Sequence, residues 1–331
     1  MTLALVAKKY SVAVSPALQA LIDPADPFDP IARQFLPDIA ELIETEAERS
    51  DPIGDAAHET VPGIVHRHPG RVLFKAVSRC PVYCRFCFRR EQIGPGKTNA
   101  LTAQDVARAY DYIGAHREIE EVILTGGDPF ILSPRRAGDI THRLATIAHV
   151  KLVRWHTRVP MVDPARVSDD FIAALLAPGA TTWVAIHANH AKEFSGQAKQ
   201  ALARLADAGI PLISQSVLLK GVNDNVETLA ALMRAFLENR VKPYYLHHPD
   251  LARGTSHFRV SIEDGLALTR ALRAQLSGLA QPSYVLDIPG GFGKSPIGPS
   301  YLSADHCTVE DFNGRRHAYP PRPLHNDAEQ I

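Results

Sequence analysis

The chain contains 331 residues, with 36 Lys and Arg against 36 Asp and Glu, so its net charge is zero when histidine is neutral. Hydrophobic residues make up 45% and charged residues 22%, which excludes a disordered or collagen-like chain. Without a positive excess we expect no nucleic-acid or membrane partner, and no apolar run approaches the roughly 18 residues of a membrane span. The apolar N-terminus precedes its lysines, the reverse of a secretory signal, so we expect a cytoplasmic protein.

The first of three predicted regions is an accessory segment, residues 1–60. Proline and aspartate alternate between Asp23 and Pro30, which marks turns. Residues Pro37–Arg49 then have a helical pattern, with apolar side chains on one side and acidic ones on the other. The sequence therefore predicts an N-terminal helical extension.

The second region, residues 61–280, alternates β-rich runs with helix-like stretches. The predicted strands are Val72–Val77, Glu121–Thr125, Lys151–Val159, Thr182–His187, Pro211–Leu219 and Tyr244–His247. The predicted helices are Thr102–Arg117, Pro134–His149, Ser168–Ala177, Lys192–Ala208, Asn225–Arg240 and Ile262–Ser277. Strand starts recur at the length of a βα unit. Six units predict a parallel sheet covered by helices, as an open barrel or a doubly wound sheet, with the chemistry beyond the carboxyl ends of the strands.

The third region, residues 281–331, departs from this alternation. Tyr284–Ile288 is one more candidate strand. A glycine-rich loop and an irregular tail follow it.

Three of the four cysteines, Cys80, Cys84 and Cys87, lie close together directly after the first predicted strand, and Cys307 is far away. A disulfide framework spreads an even number of cysteines over a small secreted chain, so this spacing favours metal or cluster ligation. C-x3-C-x2-C can bind three irons of an iron–sulfur cluster and leave the fourth open to a small molecule. A structural zinc site needs four ligands, and zinc completed by a histidine is the alternative.

The cysteine loop after the first strand of a βα array resembles the radical S-adenosylmethionine (SAM) superfamily. In that superfamily the open iron binds the amino and carboxylate groups of SAM. Phe86, just before the last cysteine, also matches the pattern. The run Gly126-Gly127-Asp128 ends the second strand; alone it is equally typical of a βα turn, but with the cysteine loop it resembles the segment that holds the SAM amino group. The resemblance implies a partial (β/α)6 barrel, a [4Fe–4S] cluster and SAM.

Lys294 lies in the glycine-rich loop Pro289–Pro296, which does not have the glycine spacing of a P-loop. A deprotonated lysine can form a Schiff base, and neighbouring glycines let a cofactor approach the backbone. Arg67 and Arg71 lie close together before the first predicted strand, and two guanidinium groups suit a phosphate. A solvated surface is the alternative for each feature. A Schiff-base lysine and a phosphate clamp are the parts that a pyridoxal 5'-phosphate (PLP) site needs.

Taken together, residues 50–320 resemble the lysine 2,3-aminomutase family. The matching motifs, in chain order, are Asp51–Gly54, Pro62–Ile64, His66–Arg71, the cysteine loop with Phe88–Arg90, Gly126–Asp128, Asn189–His190, Gln215–Leu219, Pro243–Tyr245 and Pro289–Lys294. The resemblance implies an isomerase that uses a [4Fe–4S] cluster, SAM and PLP to convert L-lysine to β-lysine.

The resemblance also assigns roles to individual residues. It implies that the cluster is bound by Cys80, Cys84 and Cys87, and that Gly126, Gly127, Asp128 and Gln215 contribute to cofactor binding. It implies that Lys294 binds PLP, with Arg67 and Arg71 near the phosphate. It also implies that Arg89 binds the substrate carboxylate and that Asp250 and Asp287 hold the distal ammonium of lysine. Two acids facing one ammonium would select a basic amino acid and repel glutamate.

The chain departs from the family pattern at several points. Phe292 interrupts the glycine run before the lysine, and the chain lacks the cysteine-rich zinc region of longer aminomutases. Its short length resembles the branch that makes β-lysine for elongation factor P, yet Asp287 does not match that branch. The alternatives are an aminomutase acting on another amino acid such as arginine, a zinc-binding scaffold protein and an electron-transfer iron–sulfur protein. Expected partners are the amino acid substrate, a reductant such as flavodoxin or ferredoxin, an elongation factor P pathway and a second copy of the chain in a homo-oligomer.

Overall fold

The computed structural model describes residues 2–94 and 101–321 of the chain. The strands are β1 (Glu59–Val61), β2 (Ile64–His68), β3 (Arg71–Val77), β4 (Glu121–Gly126), β5 (Leu152–Thr157), β6 (Thr181–His187), β7 (Leu212–Val217), β8 (Val241–His247), β9 (Ser283–Asp287), β10 (Lys294–Pro296), β11 (Thr308–Glu310) and β12 (Arg316–Ala318). The α-helices are α1 (Leu3–Lys9), α2 (Pro16–Gln19), α3 (Pro30–Phe35), α4 (Ala103–Ala115), α5 (Pro134–Ala145), α6 (Val159–Val162), α7 (Asp169–Ala174), α8 (Gly196–Asp207), α9 (Val226–Glu238) and α10 (Ile262–Gln275).

The sheet joins β1 to β10 in chain order, so each strand is hydrogen-bonded to its sequence neighbours. From β3 to β9 every pairing is parallel, whereas β1–β2, β2–β3 and β9–β10 are antiparallel. The predicted α/β class with a parallel sheet is confirmed, and the further candidate strand is the seventh parallel one. Strand β2 was not predicted. It forms a hairpin with β3, and the turn between them contains Pro69 and Gly70, a dipeptide that is itself a turn signal.

Side-chain alternation separates the core from the inner face of the sheet. On β5 the residues Val153 and Trp155 are buried on one face, while Arg154 and His156 line a cavity on the other face. Because successive side chains of a strand point to opposite faces, each parallel strand contributes to both layers. Eight of the ten described α-helices begin with a capping side chain, as at Thr102, whose hydroxyl accepts from the Asp105 N–H at 3.1 Å.

The predicted helix over Pro37–Arg49 is wrong. Only Ile39–Leu42 forms a single 3-10 turn, and the amphipathic pattern is inverted. Ile39 and Ile43 are exposed, whereas the side chain of Glu41 is fully buried and pairs with two arginines, Arg85 and Arg90. The accessory segment contains the short helices α1 to α3 instead. A buried ion pair to a distant part of the chain has overridden the local periodicity.

The C-terminal region is less irregular than predicted, because β11 and β12 form a hairpin. Residues 322–331 of the predicted tail lie outside the described residues. Among the described helices, none combines the length and the apolar character that a membrane crossing requires.

Two glycine turns bring the ends of the sheet together, although β1 and β10 are not hydrogen-bonded to each other within the described residues. Gly54 precedes β1 and Gly291 precedes β10, and both have a positive φ, +68° and +89°. A Cβ on Gly54 would lie 2.5 Å from the backbone nitrogen of Gly291. The two turns therefore pack backbone to backbone, which only glycine permits.

Candidate active site

A cavity of about 340 Å³ lies inside the curve of the sheet, at the carboxyl ends of the parallel strands. All thirteen residues predicted as site residues line it: Arg67, Arg71, Cys80, Cys84, Cys87, Arg89, Gly126, Gly127, Asp128, Gln215, Asp250, Asp287 and Lys294. They come from positions up to 227 residues apart (294 − 67 = 227). The parallel topology explains their meeting, because it places every strand end at one edge of the sheet.

The three loop cysteines are free thiols at one end of the cavity. Burial raises the pKa of all three, to about 11 for Cys87, and the charge of a neighbouring thiolate raises the pKa of Cys80 and of Cys87 further. Three buried thiols with raised pKa values fit a cationic iron cluster, since bound metal would deprotonate them. Within the described residues no three His, Cys, Asp or Glu side chains are arranged around a single metal ion.

Arg158, at the end of β5, contacts the cysteine loop and was missed from the sequence. Its Nη1 donates to the Sγ of Cys84 at 3.2 Å, while its Nη2 donates to Glu193 at 2.7 Å and to Gln34 at 2.6 Å. The guanidinium is buried and opposes the rise in the Cys84 pKa that burial causes. It therefore fixes the loop and places a positive charge beside one sulfur.

The Gly-Gly-Asp segment packs against the cysteine loop. The Asp128 carboxylate accepts from Thr157 Oγ1 at 2.8 Å and from the Arg158 N–H at 2.7 Å. These bonds lie inside the protein, so the Asp128 side chain joins the ends of β4 and β5, and the assignment of this segment to SAM binding stays a prediction.

Gly127→Ala is expected to disrupt this packing. A Cβ on Gly127 would lie 2.1 Å from the carbonyl oxygen of Arg79, which directly precedes Cys80. Relieving this overlap should cost about 1–3 kcal/mol of unfolding free energy and lower the iron content after reconstitution. Chemical denaturation and iron analysis measure both. Gly114→Ala is the control, because its Cβ would meet no atom within 4 Å; equal stability and iron content in the two variants would contradict the expectation.

At the opposite end of the cavity Lys294 pairs with Asp287. The two residues are directly opposite in the β9–β10 pairing, and the Lys294 ammonium donates to the Asp287 carboxylate. His247 lies 3.5 Å from both, measured from its Nδ1. Burial alone would raise the pKa of Asp287, but the contacts with His247 and Lys294 lower it.

Asp250 lies beside this pair and behaves differently. Burial, and then the negative charge of Asp287, raise its pKa to about 7. The two carboxylates therefore carry less than two full charges near neutral pH in the absence of a ligand. A cation between them would favour ionisation of both.

The predicted arginine pair forms a positive corner of the cavity. Arg67 lies on β2 and Arg71 begins β3, across the hairpin turn. After burial, the charges of Arg71, Arg67 and Lys294 lower the pKa of His68, which lies among them. Because three cationic groups act on one imidazole, this corner suits an anionic ligand such as a phosphate.

Arg67 and Arg89 share a partner that was also missed from the sequence, Asp55. Its carboxylate accepts from Arg89 at 2.8 and 2.9 Å and from Arg67 at 3.1 Å. Asp55 directly follows the Asp51–Gly54 motif. Its position next to a motif of the family is the signal that could have identified it as a site residue.

Two histidines complete the cavity wall and were not predicted either. The Nε2 atoms of His156 and His187 are buried and have no hydrogen-bond partner in the described part of the chain. Burial lowers the pKa of both rings, so they are neutral. Buried polar atoms without protein partners indicate a ligand-facing surface.

Comparison with known proteins agrees with this geometry. The Radical SAM superfamily profile matches residues 75–233. The chain is 39% identical to a provisionally named L-lysine 2,3-aminomutase of Aquifex aeolicus, over 88% of this chain and 79% of that protein. It is 36% identical to the L-lysine 2,3-aminomutase of Clostridium subterminale, over 93% and 74%. A glutamate 2,3-aminomutase of Clostridioides difficile is also 36% identical, over 94% and 74%.

Proposed function

Because the chain belongs to the L-lysine 2,3-aminomutase family, and is therefore a radical SAM isomerase, we propose that it moves the α-amino group of L-lysine to the β-carbon. Radical SAM lysine 2,3-aminomutases use a [4Fe–4S] cluster, SAM and PLP. The observation that carries the choice of lysine is that Asp287 already holds an alkylammonium group in the cavity, that of Lys294. When Lys294 is bound to PLP, its side chain no longer carries an ammonium group. The carboxylate of Asp287 would then be available to the ammonium group of the substrate.

Each ligand has a set of cavity residues that fits it. The cluster would be held by Cys80, Cys84 and Cys87, and SAM would face Gly126, Gly127, Asp128 and Gln215. PLP would be held by Lys294, Arg67 and Arg71. The two ends of lysine would be held by Arg89, Asp250 and Asp287. When bound, the cluster and SAM supply a radical that removes a hydrogen atom, and PLP supplies the conjugated system through which nitrogen migrates. The protein positions these groups and excludes water from them.

Arg89 is well prepared to bind a carboxylate. A guanidinium group has five N–H donors. Asp55 takes one on Nε and one on Nη2, and Thr125 takes one on Nη1 at 3.2 Å. One donor is left on each terminal nitrogen, and this pair matches the two oxygens of a carboxylate.

The charges of the cavity favour a basic substrate over an acidic one. The side chain of glutamate would meet Asp250 and Asp287, which are only partly neutralised by Lys294. The glutamate-specific relative is nevertheless as similar as the Clostridium subterminale enzyme, so glutamate and arginine belong in the substrate test. The zinc scaffold and electron-transfer alternatives do not account for an isomerase family.

Lysine binding is expected to release a proton from Asp250. Its pKa of about 7 makes it roughly half protonated at pH 7, and a substrate ammonium would favour the ionised form. Lysine affinity should therefore increase as the pH rises from about 6 to about 8. Calorimetric titration in buffers of different ionisation enthalpy measures the protons released. Asp250→Asn should release about half a proton less than the parent protein at pH 7, and an equal number in the two proteins would refute the assignment.

The direct test is anaerobic reconstitution with iron, sulfide and PLP, followed by assay with SAM, dithionite and an amino acid. L-lysine should yield β-lysine, identified by mass and chromatography, whereas L-arginine and L-glutamate should not react. A brown, PLP-loaded protein that leaves lysine unchanged would retain the radical chemistry and exclude the substrate.

The physiological connections form the finer part of the proposal. We expect flavodoxin or ferredoxin to replace dithionite as the electron donor. Supply of β-lysine to elongation factor P rests on the resemblance to the short branch of the family, and loss of the modified factor after deletion of the gene would support it. Assembly as a homo-oligomer is tested by sedimentation.

A further inference from the structure

We propose that Asp55 is a positioning residue that holds Arg67 and Arg89 in place, so that one carboxylate sets the affinity of the cavity for two anions. Those anions are the phosphate at Arg67 and the substrate carboxylate at Arg89. The inference rests on the proposed function, because that function assigns the two anions.

The first argument is geometric. The Asp55 side chain is 1% exposed, and the side chains of Arg67 and Arg89 are 12% and 9% exposed. One oxygen, Oδ2, accepts both bonds from Arg89, and the other, Oδ1, accepts the bond from Arg67. Asp55 therefore lies between the two guanidinium groups and restrains the orientation of both.

The second argument concerns the donors that remain free. The Nη2 of Arg67 donates to Asp55 and, at 3.0 Å, to the carbonyl of Ile53, while its Nε is buried without a partner among residues 2–94 and 101–321. In Arg89 the bonds to Asp55 occupy only part of the guanidinium group and leave further N–H groups for a ligand. The contacts thus orient both arginines rather than saturate them.

The third argument is that the position of Asp55 is itself fixed. The carboxylate of Asp51 accepts from the backbone N–H of Asp55 at 3.0 Å and of Ala56 at 2.8 Å. Burial alone would raise the pKa of Asp55, but the charges of Arg89 and then Arg67 lower it. An ionised carboxylate on a rigid turn is a suitable anchor for two cations.

Asp55→Asn separates positioning from simple charge. Removal of a negative charge makes the cavity more positive, so charge alone predicts tighter anion binding. Positioning predicts the opposite, because freed guanidinium groups must be ordered again on binding. We expect affinity for PLP to fall about tenfold and the KM for L-lysine to rise about tenfold, with the affinity for SAM unchanged.

Pyridoxal, which lacks the phosphate, provides a readout that does not depend on catalysis. Absorbance titration of the chain with PLP and with pyridoxal gives the contribution of the phosphate as a ratio of affinities. Asp55→Asn should reduce that ratio, and Asp55→Glu, which keeps the charge, should restore part of it. An unchanged or increased ratio in Asp55→Asn would overturn the proposal.

Glu41→Gln is the matched control. Glu41 is also buried in the accessory segment and also holds two arginines, Arg85 and Arg90, but none of these three residues lines the cavity. The variant should lose stability while keeping the PLP-to-pyridoxal ratio. If the parent protein binds neither PLP nor lysine, the proposed function is refuted. If the parent protein binds both and the Asp55→Asn variant binds them equally well, only the role of Asp55 is refuted.

Discussion

Replacement of Lys294 with alanine is expected to abolish stable PLP binding and isomerase activity together. Lys294 contacts Asp287 from the neighbouring strand. The positive corner of Arg67 and Arg71, which suits a phosphate, lies close to it, since all three cations lower the pKa of His68. Without an amine at this position the cavity can hold PLP only through non-covalent contacts. The reaction needs the cofactor in one orientation, so turnover should fall below detection.

The measurement combines absorbance with mass spectrometry. Borohydride reduction fixes PLP to the lysine that holds it, and peptide mapping should then locate the added mass on Lys294. Lys242→Ala is the control, because Lys242 is half-buried on β8 and donates to the carbonyls of Pro243 and Gln281. Location of the added mass on another lysine would exclude Lys294 as the PLP residue.

Asp287→Asn is expected to weaken lysine binding with little effect on SAM. A charged hydrogen bond contributes about 1.5–3 kcal/mol, which corresponds to a roughly 10- to 150-fold rise in the dissociation constant for lysine. The effect should exceed that of Asp250→Asn at pH 6, because Asp250 has the raised pKa and Asp287 the lowered one. The carboxylate of Asp287 is therefore the one that is charged throughout the working range.

Equilibrium binding of L-lysine to the PLP-loaded variant tests this expectation. Asp29→Asn is the matched control, since Asp29 is a buried aspartate paired with a lysine, Lys192, at 3.2 Å and lies outside the cavity. Separate PLP titration shows whether the loss of the partner of Lys294 has changed cofactor loading. Unchanged lysine affinity in fully loaded Asp287→Asn would mean that the distal ammonium binds elsewhere.

The sequence was sufficient for the parallel strands, but it did not reveal β1, β2 or β10. Residues such as Gly126, Asp287 and Lys294 lie at element ends, and parallel topology brings such ends together without any knowledge of side-chain packing. Local motifs and the family resemblance therefore predicted which residues line the cavity, although neither could give the contacts inside it.

What remained hidden depends on pairs that are distant in the chain. Asp55 meets Arg89 across 34 residues, and Arg158 meets Cys84 across 74. No local pattern encodes either pair, because the partners become neighbours only when the sheet curves. The same reason explains the error over Pro37–Arg49, where Glu41 is buried by arginines that follow it by 44 and 49 residues.

The contact between Gly54 and Gly291 has a consequence for synthesis on the ribosome. The segment that carries the proposed cluster and SAM residues, from Cys80 to Gln215, is synthesised before the turn that carries Gly291 and Lys294. The cavity wall can therefore be completed at the Gly54 turn only after Gly291 has left the ribosome. Lys294, on β10, is the last residue of the described cavity wall to be synthesised.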